Sequence, residues 1–216
     1  MLEQLANDGI AYFNNRPPSG GNTIIAMGPP RSGTSMVITT LQALGVFIGD
    51  DPVRGTLEDR RLTLALERKN GNPKEVITDY NRHSVWAYKR PWAYEYIERK
   101  AHLFRRPRYI LTFRDPIAIA KRNELSMGLQ LAEQVKLAAD RTAAVADFML
   151  NTSRPTMAVS YEKVLSDPRK FTMALAAFCG IEANTEAITA ASQKIENGPD
   201  AYLIATQTRF RKSKAS

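Results

Sequence analysis

Thr23-Ile-Ile-Ala-Met-Gly-Pro-Pro-Arg-Ser-Gly-Thr-Ser35 joins an apolar run to a polar, glycine-bounded loop. Ile24–Met27 is apolar at every position, the pattern of a central parallel strand buried on both faces. Gly28 and Gly33 follow with four residues between them, and then come Thr34 and Ser35, which is the spacing of a nucleotide-binding phosphate loop. An ordinary loop of this kind carries Lys where Thr34 stands, and that Lys reaches the β- and γ-phosphates. Here the cation has moved inside the loop as Arg31. A cradle that keeps its spacing without that Lys implies a nucleotide with different 5′ chemistry.

The physics of the loop is local. Glycines permit tight turns and close backbone approach. Successive N–H groups pointing inward form an anion nest. A helix starting near Gly33, with Met36–Leu44 continuing it, adds unpaired N–H donors and a positive dipole end. Ser32, Thr34 and Ser35 supply hydroxyls, and Arg31 supplies a planar fork suited to phosphate or sulfate oxygens. The same residues would also serve as a plain strand–turn–helix connection with a polar loop.

Around this segment the 216 residues read as a single domain with enough chain for a substantial core. Apolar content of 44% and charged content of 24% are ordinary for a globular protein. No apolar run approaches the ~20 residues of a membrane span, and the N-terminus is acidic where a signal peptide is basic. One cysteine, Cys179, excludes an intrachain disulfide and a cysteine-built metal site, and its setting, Leu175–Gly180, reads as a buried helical thiol. These features point to a cytoplasmic setting without membrane attachment. The net charge of +8 raises the question of nucleic acid. The basic residues are dispersed, apart from Arg105–Arg108 and Arg209–Lys214, and no nucleic-acid-binding signature is present. A highly anionic nucleotide would suit the same surplus.

The chain divides into an N-terminal helix over 1–14, a core over about 22–180 and a helical, basic tail over 181–216. Strands are predicted at Ile24–Met27, Val85–Tyr88, Tyr109–Phe113 and Thr156–Ser160. Helices are predicted at Ser35–Leu44, Asp59–Arg68, Trp92–Leu103, Leu129–Asn151 and Pro168–Phe178. This alternation implies an α/β fold of three layers around a central parallel sheet. Ligands of such sheets bind at the carboxyl ends of the strands.

Four motifs lie at those ends. Pro29–Ser35 resembles the 5′-phosphosulfate loop of sulfotransferases that use 3′-phosphoadenosine 5′-phosphosulfate (PAPS), close to its form in the Golgi and bacterial branches. Tyr109-Ile-Leu-Thr-Phe-Arg-Asp-Pro116 resembles their 3′-phosphate motif. Val85-Trp-Ala-Tyr-Lys-Arg-Pro91 is similar to a Trp-x-x-Lys-x-Pro pattern of bacterial and Golgi-type members. Gly55-Thr-Leu-Glu-Asp59 is similar to their acceptor-side segment. The resemblance runs from about Thr23 to Pro168 and implies the P-loop-like sulfotransferase fold.

By that resemblance Pro30, Arg31, Ser32, Gly33, Thr34 and Ser35 bind the 5′ end of PAPS, and Arg114 binds its 3′-phosphate. Where the family usually has a second 3′-phosphate ligand, a Ser, this chain has Arg122, with Ser126 one turn later. Lys89 would neutralise the leaving oxygen, and Arg31 and Lys89 together would stabilise charge spreading over the equatorial and leaving oxygens. Glu58, or else Asp59, would take the acceptor proton, since a base must stand within hydrogen-bond reach of it. Thr56 and Asp59 also form a capping box, so one of the two acids serves the helix. His83 and His102 lack the context of a catalytic base, Val159–Pro168 reads as structural, and Phe210-Arg-Lys212 echoes a basic element that clasps the 3′-phosphate in cytosolic members.

The implied reaction is sulfuryl transfer to a hydroxyl or amine of a small-molecule acceptor, with no metal, no specific nucleic acid and no membrane partner. Two other readings stay open. A P-loop nucleotide or small-molecule kinase would use Mg²⁺–ATP. A non-catalytic nucleotide or polyanion binder would keep the fold without the chemistry.

Overall fold

The computed structural model describes residues 7–196. A five-stranded sheet runs in the order β1 (Ile10–Phe13), β5 (Thr156–Ser160), β4 (Pro107–Phe113), β2 (Asn22–Met27), β3 (Val85–Lys89). β5, β4, β2 and β3 are parallel, and β1 closes the β5 edge antiparallel. β2 sits between β3 and β4 and is buried along its whole length. Its alternate residues serve opposite faces, as the pleat requires. Ile24 and Ala26 join a core with α1 (Thr34–Ala43), α7 (Tyr161–Ser166) and α8 (Pro168–Cys179). Ile25 and Met27 join a second core with α2 (Arg60–Glu67), α3 (Pro73–Tyr80) and α6 (Leu131–Asn151), rich in aromatics such as Trp86, Tyr80 and Tyr109. The result is the expected three-layer α/β sandwich. α5 (Pro116–Met127) packs along α6, and α9 (Thr185–Ser192) packs on α1 and α8. Cys179 ends α8 fully buried, and burial raises its thiol pKa.

Two elements differ from expectation. The N-terminal helix over 1–14 does not hold at 10–13, which is β1; residues 1–6 lie outside the described residues. Gly9 starts this turn at φ 76°, and Ser160 N–H donates to its carbonyl at 2.8 Å. Four residues are too few to display a strand period, and this strand exists because β5 offers it an unpaired edge. The helix expected over Trp92–Leu103 is broken into a 3₁₀ turn at Pro91–Glu95, a single turn of α4 (Ile97–Lys100) and another 3₁₀ turn at Ala101–Leu103. Tyr96 leaves helical conformation (φ −139°, ψ −17°) between the first two. Its hydroxyl lies 3.3 Å from that of Tyr88 and donates to Glu67 at 3.0 Å.

Candidate active site

Five segments meet at the carboxyl edge of the sheet: the loop between β2 and α1, the residues after β3, β4 and β5, and the stretch Gly55–Asp59 before α2. The first is held in place by its own glycines. Gly28 (φ 155°) and Gly33 (φ 106°) both have positive φ. A Cβ on Gly28 would fall 2.5 Å from the Thr112 hydroxyl, and one on Gly33 would fall 2.5 Å from the Tyr161 ring. Ser32 N–H donates to Pro29 O at 3.0 Å, closing the turn. The Ser32 and Thr112 hydroxyls, both fully buried, are 2.6 Å apart and tie the loop to β4. Ser32 therefore supplies a brace, and its hydroxyl does not line the cleft.

α1 then starts in an unusual way. Its N-cap is Gly33, with no side-chain hydrogen bond to the first turn and no acidic residue within it. Among the described α-helices it alone lacks both devices. α2, α5, α8 and α9 are capped by Asp59, Asp115, Asp167 and Asn184, and α3, α4, α6 and α7 carry Glu75, Glu98, Glu133 and Glu162 in the first turn. The first N–H groups of a helix need a partner, and at α1 none of the described side chains provides one.

That end faces a cleft of about 750 Å³, its open mouth included. Arg31, Gly33, Thr34, Ser35, Arg114 and Arg122 line it, with Gly55, Leu57, Tyr161, Lys194 and Glu196 among the other walls. Arg31 adopts a left-handed backbone (φ 75°). Its guanidinium donates to Asn123 Oδ1 at 3.2 Å and to Ser126 Oγ at 3.0 Å, so α5 orients the cation of the loop. Arg114 donates to the Arg31 carbonyl at 3.0 Å and lies 4.4 Å over the Tyr161 ring, with Glu162 3.8 Å away. Arg122, one α-helical turn before Ser126, lines the same cleft.

A second cluster adjoins this one through Lys89. Its side chain is 2% exposed. Its ammonium donates to Thr56 O at 2.7 Å, to Ser35 Oγ at 3.2 Å and to Glu58 Oε1 at 3.3 Å. The other Glu58 oxygen accepts from Arg90 Nη1 at 2.7 Å, and Arg90 grips Glu67 with its remaining nitrogens. Burial pushes the Tyr88 phenol up to about 12 and raises that of Tyr96 further, so both stay neutral hydrogen-bonding groups beside Glu67.

The two acids before α2 separate clearly. Asp59 is 1% exposed and caps α2 itself, in place of the expected cap by Thr56. Its oxygens accept from Asp51 N at 3.0 Å, Leu62 N at 3.0 Å and Tyr80 OH at 2.8 Å. Glu58 is turned instead toward Lys89. Of the residues expected in the site, Arg31, Gly33, Thr34, Ser35, Arg114 and Arg122 share the cleft, and Lys89 and Glu58 reach it through Ser35. Pro30, Ser32 and Asp59 do not line it. His83 stacks on Phe47 at 4.0 Å and His102 is exposed; neither lines the cleft. Phe210–Lys212 lies outside the described residues.

Tyr161 and Glu162, read from sequence as structural, also stand at this site. Their place directly after a parallel strand was the signal. Asn123, which orients Arg31, and Lys194 carry no local pattern that would single them out. Among the described residues no three His, Cys, Asp or Glu side chains gather as a metal site would, and no helix is long and apolar enough to cross a membrane.

Comparison with known proteins bears on this geometry. The sequence pattern of the sulfotransferase family matches residues 59–185, more than half of the chain, starting just after Glu58. Among solved structures, the sulfotransferase domain of the Synechococcus PCC 7002 olefin synthase is 17% identical with a TM-score of 0.50, over 94% of this chain and 98% of that one. The sulfotransferase domain from the curacin biosynthetic pathway is 14% identical with a TM-score of 0.57, over 87% and 83%. Mouse sulfotransferase SULT7A1, complexed with PAP, is 14% identical with a TM-score of 0.56, over 81% and 65%. At these identities the likeness is one of fold. No curated protein matches the chain.

Proposed function

This chain belongs to the sulfotransferase family, and we propose that as a single cytoplasmic domain it transfers a sulfuryl group from PAPS to a hydroxyl or amine of a small-molecule acceptor. The carrying observation is the bare N-terminus of α1, ringed by Arg31, Arg114 and Arg122 in one cleft. A helix end left without a cap and surrounded by cations suits a bound anion. PAPS, the co-substrate, carries one anionic group at its 5′ end and another on its 3′ oxygen. The fit is supported by the glycine cradle, in which a Cβ at Gly33 would meet Tyr161.

In this reading Gly33, Thr34 and Ser35 receive the 5′ end with Arg31, and Arg114 and Arg122 receive the 3′-phosphate. Lys89, at the Ser35 hydroxyl, neutralises charge on the leaving oxygen. Glu58 takes the proton as the acceptor atom bonds to sulfur and the bond from sulfur to the 5′-phosphate oxygen breaks, releasing 3′-phosphoadenosine 5′-phosphate (PAP). Asp59, buried and fully engaged, holds α2 instead. No metal enters this scheme, because the cations come from side chains.

Calorimetric titration with PAP, 5′-AMP and Mg²⁺–ATP tests the reading. PAP is expected to bind best, and Arg114→Ala to weaken it by about tenfold to a hundredfold, the worth of a hydrogen bond to a charged group, while 5′-AMP is little affected. Preference for Mg²⁺–ATP would move the chain to phosphoryl transfer. Tight PAP binding without transfer to any acceptor would leave a nucleotide binder.

A further inference from the structure

We propose that Arg90 is a positioning residue: braced by Glu67, it holds the Glu58 carboxylate beside Lys89. This rests on the reading of Glu58 as the base.

The need for such a residue is geometric. Glu58 stands in an irregular segment, after Leu57 in a left-handed backbone (φ 57°) and before the cap of α2. No repeating secondary structure fixes its rotamer. Lys89 meets Glu58 at 3.3 Å while its ammonium also serves Thr56 O at 2.7 Å and Ser35 Oγ at 3.2 Å, so it is shared among several acceptors. The shorter contact on Glu58 is the one from Arg90, at 2.7 Å.

Arg90 is itself well anchored. It directly follows β3, and its backbone N–H donates to Ala26 O at 3.1 Å, extending the sheet by one rung. Its Nε and Nη2 donate to the two Glu67 oxygens at 2.7 and 2.8 Å, a bidentate pair of fixed plane. Glu67, the last residue of α2, is held in turn by the Tyr96 hydroxyl, which neighbours that of Tyr88. The third guanidinium nitrogen is therefore aimed by two others and delivered to Glu58. The planar fork explains why Arg serves here: a Lys would satisfy one carboxylate without orienting the second. The side chains of Arg90, Glu58 and Glu67 are 25%, 18% and 32% exposed, so the cluster is partly withdrawn from solvent.

The test uses PAPS alone, with water as acceptor, and follows PAP release. A water oxygen bonds to sulfur, the bond from sulfur to the 5′-phosphate oxygen breaks, and a water proton passes to Glu58. Glu58→Gln is expected to lower kcat about a hundredfold or more, the low end for a general base. Arg90→Ala is expected to lower it about tenfold through misplacement of that base, with PAP affinity by calorimetry unchanged, and Arg90→Lys to recover part of the loss. In the Glu58→Gln background Arg90→Ala should cost nothing more, since two residues acting as one unit are not additive. The same tenfold loss in both backgrounds would overturn the proposal, as would loss of PAP affinity alongside rate. Full activity in Glu58→Gln would instead sink the base assignment on which it rests. A wild-type chain that releases no PAP above the uncatalysed rate would count against both.

Discussion

α1 and α5 start from equivalent places and are finished in opposite ways. Each begins just beyond one of two neighbouring parallel strands, β2 and β4. Each presents the same unpaired N–H groups and the same positive dipole end. At α5 the chain supplies the partner: Asp115 accepts from Ile117 N at 2.6 Å and Ala118 N at 3.1 Å, and Pro116 at the first position has no N–H to satisfy. At α1 the cap is a glycine and the first turn itself holds no acidic residue. One helix end is complete without a ligand. The other has no such partner among the described residues, and it is where the proposed nucleotide would seat; α5 contributes to its surroundings by side chains alone, through Arg122, Asn123 and Ser126.

The comparison breaks most sharply if α1 is finished the way α5 is. Ser35→Asp puts a carboxylate into the first turn of α1, next to Lys89. The helix should gain: an acid at this end contributes about 0.3–1 kcal/mol, so the melting temperature should hold or rise. PAP binding should vanish in calorimetry, because like charges brought together cost several kcal/mol. Stability and binding moving in opposite directions is the signature. Retained PAP affinity would mean that the ligand does not seat at this helix end.

A smaller change sharpens the role of α5. Arg122→Ser puts there the hydroxyl that the sequence resemblance leads one to expect. A charge-assisted hydrogen bond is roughly twice as strong as a neutral one, so PAP should bind about tenfold more weakly. Affinity for 5′-AMP, which lacks the 3′-phosphate, should not change. An equal loss for both nucleotides would place Arg122 at the 5′ end instead.

The contrast also explains what the sequence disclosed. The loop at Gly28–Ser35 was legible because its chemistry is local: spacing, glycines and a strand before it determine the turn. Arg114, Lys89 and Glu58 were reached instead through the motif resemblance, each lying beside an element with a clear pattern. What stayed hidden depends on residues distant in the chain. Nothing near Arg31 says that Asn123 and Ser126 orient it, nor that Lys194 joins the same cleft. That Asp59 caps while Glu58 faces Lys89 could not be chosen from adjacent acids; Tyr80 and Arg90, on other elements, decide it. β1 was misread for a related reason, since an edge strand of four residues takes its conformation from the partner it pairs with.

The smallest effect is expected where the chain completes its own helix. Asp115→Ala removes the cap of α5 and should destabilise the protein by about 1 kcal/mol, the usual worth of such a cap. Two N–H groups lose their acceptor, yet both are exposed enough for water to replace it. Asp115 adjoins Arg114, so the nucleotide site is the place where damage would show if the cap also positioned that cation. Arg114 has its own supports, however: the Arg31 carbonyl, the Tyr161 ring and Glu162. None of these passes through the Asp115 carboxylate. PAP affinity should therefore be unchanged, or slightly higher for the loss of one negative charge, while chemical denaturation registers the lost cap. A fall in PAP affinity comparable to that of Arg114→Ala would show that the two helix ends are not independent, and the contrast between them would no longer hold.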